Sequence, residues 1–165
     1  MLETAGQTHQ AQSVAKEIMG LYETHLPVRD LERSVAFYRD IVGLELGRII
    51  PGRKVAFFWA GGKETGMLGL WETGSAPLAM KLHFAFRMSA EGITHACEYL
   101  KAQGVQPLGF GGHPVDEPDV IAWMPAAVVY FKDPDGHSIE FLHVLEEPAQ
   151  PELDKLPLSR WRQEA

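Results

Sequence analysis

An α+β fold built from two related halves is what this chain predicts, on three observations. A strand followed by a helix opens near Tyr22, and the same order returns from Lys81. A hairpin closes the second half across Asp133-Pro134-Asp135-Gly136. His25, His83 and Glu140 stand on strands at matching points of the two halves.

The first element is the strand Tyr22 to Val28. The helix after it is predicted by Leu31, Val35, Tyr38 and Val42, which recur at helical spacing, with Phe37 and Ile41 widening the stripe. Asp30 is the expected N-cap, and Gly43 stands just past the end. The second strand, Lys81 to Arg87, leads to a helix carrying Ile93, Ala96, Cys97, Tyr99 and Leu100 before Gly104. His83 follows His25 by 58 residues and Gly104 follows Gly43 by 61, so the two halves keep step through the helix. Farther on the second half gains about a dozen residues, assigned to the Gly- and Pro-rich stretch from Gly109 to Pro118. On that spacing Leu68-Gly69-Leu70 matches Ile139-Glu140-Phe141, and Gly69 occupies the place of a fourth ligand.

Between Val128 and Leu142 two apolar runs flank the Asp133-Pro134-Asp135-Gly136 turn. Pro134 fixes φ and Gly136 tolerates a positive φ, so the chain reverses and returns Glu140 along a strand of Ile139, Phe141 and Leu142. A carboxylate among such neighbours needs a partner. A lone strand histidine is ordinarily packed or hydrogen-bonded, but two histidines and a glutamate at matched positions read together as a metal site. Two imidazoles and one carboxylate leave a divalent ion with net positive charge and open positions. That set suits Zn, Mn, Ni, Co or Fe(II) without choosing among them.

The ordered set His25 to Leu31, Ala36 to Asp40 with Gly43-Leu44, Leu82 to Phe86, and Tyr130 to Glu140 resembles the vicinal oxygen chelate superfamily. That superfamily includes glyoxalase I, fosfomycin-modifying thiol transferases, extradiol dioxygenases and bleomycin-resistance proteins. The resemblance covers roughly residues 20 to 146. It implies two βαβββ modules, about 20–80 and 81–146, whose curved mixed sheets surround a metal-binding cleft. The ligands it implies are His25, His83 and Glu140, and it also implies a site that is often built across a homodimer. Tyr130 lies ten residues before Glu140, where the dioxygenases and fosfomycin enzymes carry an active-site tyrosine, so the resemblance gives it a catalytic role.

Departures narrow the activity. Glyoxalase I carries a second glutamate where this chain has Gly69; Glu72 is expected on the opposite face and Glu64 in the preceding turn. The dioxygenase histidine would fall at Ile121, Ala122 or Trp123, leaving only His113 in a loop, and the fosfomycin threonine after the first ligand is Pro27. His137 and His143 are expected to be structural or solvated. Trp59, Trp71, Trp123 and Met124 are candidates for an apolar pocket wall, with core packing the ordinary alternative.

A net charge of −7 without a basic run argues against nucleic acid or an anionic membrane as partner. The single Cys97 lies on an apolar stripe and supports no disulfide framework. With no secretory signal or membrane-length apolar run, the expected setting is the cytoplasm. Residues 1 to 19 read as an N-terminal extension. Residues 147–165, with three prolines and many charges, read as a C-terminal tail. The expectation is a metal-dependent, glyoxalase-like lyase or isomerase that stabilises an oxyanion on a small oxygenated substrate. The alternatives are an extradiol-type dioxygenase and a small-molecule binding protein of the bleomycin-resistance type.

Overall fold

Alternation along the first strand, β1 (Glu23–Val28), sends Leu26 and Val28 into the core and leaves Glu23 and His25 on the open face. The computed structural model describes residues 19–73 and 80–164; all but the last residue of the expected N-terminal extension lies outside them. Asp30 caps helix α1 (Leu31–Ala36), its Oδ1 accepting from the Arg33 N–H at 2.9 Å. The predicted helical stripe continues, but over Phe37–Ile41 the backbone widens to an i→i+5 turn, closed by Val42 N–H to Phe37 O. This keeps Tyr38 inward and fully buried. Strands β2 (Glu45–Ile50), β3 (Val55–Trp59) and β4 (Met67–Glu72) follow, and the sheet order is β1-β4-β3-β2 with β1 parallel to β4.

The second module repeats this order. β5 (His83–Arg87) leads to helix α2 (Ala90–Ala102), which buries Ile93, Ala96, Cys97 and Leu100. Ser89 caps that helix by accepting from the Gly92 N–H. Then come β6 (Asp119–Ile121), β7 (Ala126–Lys132) and β8 (Ser138–Val144), ordered β5-β8-β7-β6 with β5 parallel to β8. Two βαβββ modules with identical strand permutation form the α+β fold that the repeat predicts.

One apolar core runs through both modules, from Leu26, Tyr38 and Phe58 to Leu100, Val129 and Phe131. The β7–β8 turn locks them together. Asp133 Oδ1 accepts from the Asp135 and His137 N–H groups, while its Oδ2 accepts from the Tyr38 hydroxyl. Burial, then the Asp133 charge, push the Tyr38 phenol far up, so it remains a donor. His137 is buried, with Nδ1 accepting from Leu82 N–H and Nε2 donating to Pro27 O. Arg33 pairs with Asp135 at 2.9 Å.

The C-terminal segment departs from the predicted tail. β9 (Lys155–Pro157) adds a fifth strand beside β6, and helix α3 (Leu158–Glu164) buries Leu158 and Trp161. Leu156, Leu158 and Trp161 supply enough apolar surface to dock the segment, and Pro157 is tolerated because β9 is an edge strand. Glu117 fastens it by accepting from the Ser159 N–H and hydroxyl at 2.8 Å. Among the described residues no helix is long and apolar enough to cross a membrane.

Candidate metal centre

His83 and Glu140 meet on the open face of the second sheet. β5 and β8 run parallel with Ser138 beside His83 and Glu140 beside Ala85, and β7 places Tyr130 directly across from Glu140. His83 Nδ1 lies 3.0 Å from Ser138 O. A carbonyl only accepts, so Nδ1 carries the proton and a neutral ring presents a bare Nε2 lone pair. That Nε2 faces Glu140 Oε2 at 3.2 Å. Two acceptors at this separation need a cation between them, either a proton or a metal ion. Glu140 Oε1 is buried without a hydrogen-bond partner, and burial raises the carboxyl pKa above its usual range against the opposing pull of Tyr130 and His83. An orphaned buried acceptor beside an oriented imidazole is a donor set that fits a divalent ion.

Burial, then the Glu140 charge, push the Tyr130 phenol upward, so the hydroxyl keeps its proton at neutral pH. Tyr130 and His83 line a cavity of about 460 Å³ with Leu108, Phe110, Lys132 and Ser138. The inserted stretch that begins at Gly109 therefore walls this cavity. Asp119 anchors it by accepting from the Phe110 N–H at 2.9 Å.

His25 has different company. Its Nδ1 accepts from the Trp71 indole N–H, and because indole only donates, the ring proton sits on Nε2. That Nε2 lies 2.7 Å from Glu23 Oε1, and Glu23 is on the same face two residues earlier on β1. The Phe57 ring meets the imidazole edge-on at 6.0 Å, and the Arg53 guanidinium covers Trp71. A Cβ at Gly69 would stand 2.6 Å from His25 Nδ1, so glycine there makes room for the ring.

The register corrects the match drawn between His25 and His83. Glu23 pairs with Met67 as His83 pairs with Ser138, each at the start of its strand, and Gly69 keeps the place assigned to it, matching Glu140. A slip of two residues preserves every inward and outward face, so the apolar pattern could not reveal it. Glu72 faces away, accepting from Leu31 N–H and pairing with Lys54, and Glu64 is exposed in its turn.

The structure thus brings His83, Glu140 and Tyr130 together and leaves His25 apart. Among the described residues no three His, Cys, Asp or Glu side chains converge on one point. A cleft of about 600 Å³ between the edge strands β1 and β5 is lined by Glu23 on one side and by His83 and Arg87 on the other.

The remaining candidates stand apart from His83 and Glu140. His143 Nδ1 contacts Met88 O, and His113 Nε2 lies 3.8 Å from Asp119. Cys97 is buried, its thiol pushed up to about 11 by burial. Met124 packs on Ile121, Ala126 and Val128; Trp123 is exposed. Glu23, not singled out in the sequence, meets His25 through their i,i+2 spacing on a strand.

The chain is 31% identical over 133 residues to a lactoylglutathione lyase of Neisseria meningitidis, covering 75% of this chain and 90% of that protein. It is 30% identical over 128 residues to the metallothiol transferase FosB of Lysinibacillus sphaericus, covering 69% and 74% of the two chains. The crystal structure of an integron cassette protein from the mobile metagenome of a Halifax Harbour sewage outfall superposes with a TM-score of 0.65. That protein shares 34% identity, covering 77% of this chain and all of that one. The family model for the Glyoxalase/Bleomycin resistance protein/Dioxygenase superfamily matches residues 19–141, a span that includes His25, His83, Tyr130 and Glu140, and the chain belongs to that superfamily.

Proposed function

We propose that this chain is a divalent-metal-dependent, glyoxalase-like enzyme of lyase or isomerase type acting on a small oxygenated substrate. Its centre uses His83 and Glu140 of one copy and His25 of a second. The observation that carries this reading is the His83 Nε2 and Glu140 Oε2 pair, two acceptors 3.2 Å apart beside an orphaned Oε1. The lyase name of the Neisseria relative and the metal in the name of the FosB relative support the chemistry. A second copy is called for because His25 stands on the open face of one sheet while His83 and Glu140 stand on that of the other, and the modules of one chain are tied through a shared core. A twofold dimer would provide two equivalent centres.

When bound there, a divalent ion supplies Lewis acidity toward adjacent oxygens of the substrate. The chain's own groups do the rest. Ser138 O holds the His83 ring in the ligating tautomer. The protonated Tyr130 hydroxyl, beside Glu140, donates to the oxygen on which charge develops. Leu108 and Phe110 give the cavity an apolar wall, while Lys132 places positive charge along it. Zn, Mn, Ni, Co and Fe(II) all suit the donor set. The cytoplasm, with its reducing conditions, is the setting we assign to an enzyme whose Cys97 is a buried free thiol.

The test is subunit complementation. His25→Ala and Glu140→Ala are purified, mixed and allowed to exchange, and metal content is read by elemental mass spectrometry. A heterodimer holds one doubly damaged and one intact centre, so the mixture regains about a quarter of the wild-type metal under random exchange. Metal in wild type with none regained in the mixture overturns the two-copy centre. No metal in folded, reconstituted wild type overturns the enzyme and favours a binding protein.

A further inference from the structure

We propose that Lys155, on the C-terminal strand β9, is a positioning residue for substrate: it holds the Phe110 ring as a wall of the cavity beside His83 and Tyr130, and so sets which substrates fit there. The inference rests on the reading of that cavity as the substrate site. β9 pairs with β6 so that Leu156 lies beside Val120, and both are buried in the shared core. Alternation sends Lys155 to the opposite face of the sheet, the open one that carries Ile121, Val128 and Tyr130. There its Nζ donates to Phe110 O at 2.7 Å and lies 5.6 Å from the centre of the Phe110 ring, within cation–π range. One ammonium group thus fixes both the backbone and the ring of the same residue.

Phe110 needs such a clamp. Its side chain is 46% exposed, so core packing does not hold it, and it meets Tyr130 at a ring separation of 6.3 Å. Gly111 and Gly112 follow with φ of 95° and 85°, so the chain leaves Phe110 through two residues of little intrinsic stiffness. Asp119 accepts from the Phe110 N–H at 2.9 Å, and Gly109 admits that carboxylate, since a Cβ there would stand 2.3 Å from Asp119 Oδ2. Lys155 takes the carbonyl. Both backbone polar groups of Phe110 are therefore held by side chains from β6 and β9, neighbouring strands of one sheet. Asp119 belongs to the second module, whereas Lys155 lies beyond residue 141, where the superfamily match ends. The segment that carries Lys155 is anchored without it, by Leu156, Leu158 and Trp161 in the core and by Ala122 N–H to Asp154 O at 3.0 Å. Removing the ammonium group frees the cavity wall and leaves β9 docked.

The experiment titrates full-length, Co(II)-loaded wild type, Lys155→Met and Lys155→Arg with acetohydroxamate and with benzohydroxamate, followed in the visible spectrum. Both compounds present two neighbouring oxygens to the metal, and the phenyl group of the second also packs on the Phe110 wall. Methionine keeps an apolar stem but no donor; arginine keeps the charge and the donor. The expected result is benzohydroxamate binding weakened about two- to tenfold in Lys155→Met, the range of one aromatic contact, with acetohydroxamate unchanged and Lys155→Arg restored. Amide hydrogen exchange of the metal-free proteins, read by mass spectrometry, should be faster in Lys155→Met over residues 109–112 and unchanged over 156–161. Benzohydroxamate bound equally by wild type and Lys155→Met overturns the inference. So does weakening of both hydroxamates alike with faster exchange over 156–161, the pattern of a merely structural role. Wild type that takes up no Co(II) overturns the metal reading instead, and the exchange comparison then decides the inference: rates over 109–112 that do not depend on Lys155 overturn it.

Discussion

Trp71 decides which nitrogen of His25 carries the proton, and this sets a conflict that metal binding must resolve. With the indole N–H on Nδ1, the ring holds its proton at Nε2 against Glu23. Ligation through Nε2 displaces that proton and puts one on Nδ1, where it would meet a second donor. Trp71→Phe removes the donor that stabilises the metal-free form, a hydrogen bond contributing about 0.5–1.5 kcal/mol, so Zn(II) affinity should rise about two- to tenfold. Weaker binding in a Zn(II) titration would mean that the indole contact survives loading. Glu140→Gln should act in opposite directions on two measurements. Its amide donates to His83 Nε2 without a shared proton, so in the presence of chelator the variant should be more stable by about 1–2 kcal/mol in thermal denaturation, and it should not bind metal. At this scale the strand faces of His25, His83, Glu140 and Tyr130 were legible because alternation fixes faces. The Glu23–His25 contact was not, because a charged residue at the start of an edge strand looks like ordinary solvated surface. The two-residue slip between His25 and His83 was hidden because alternation cannot detect it.

Elements were legible where a turn or a cap announces them. The Asp133-Pro134-Asp135-Gly136 hairpin, the Asp30 cap and the apolar stripe of α2 fall where their residues place them. The i→i+5 widening after α1 leaves no mark, since the stripe of Val35, Tyr38 and Val42 reads the same for either winding. The C-terminal β9 and α3 were hidden by composition: prolines and charges dominate the segment, and only three apolar side chains dock it. Those three carry its stability. Trp161 is fully buried, so Trp161→Ala should cost about 3–5 kcal/mol in urea denaturation. A loss below about 0.5 kcal/mol, the usual range for exposed positions, would restore the tail reading.

At the scale of the whole molecule, metal and association should be one equilibrium. In a single chain the shared core holds the two sheets so that His25 does not reach His83 and Glu140, and closing that gap by moving the modules would break the Tyr38–Asp133 and Pro27–His137 contacts. A second copy completes the set without disturbing either. An ion bridging two copies stabilises only the associated state, and a ligand at about a hundredfold over its dissociation constant contributes about 2.7 kcal/mol to whatever state it selects. The melting temperature with Zn(II) should therefore rise with protein concentration. Chelation should move the sedimentation profile toward the monomer, and His83→Ala should behave in zinc as wild type does in chelator. A centre contained in one chain predicts something different: zinc would raise the melting temperature by the same amount at every protein concentration, and chelator would leave the sedimentation coefficient where it was. Concentration dependence that appears with zinc and vanishes in His83→Ala is the pattern that only a shared centre produces.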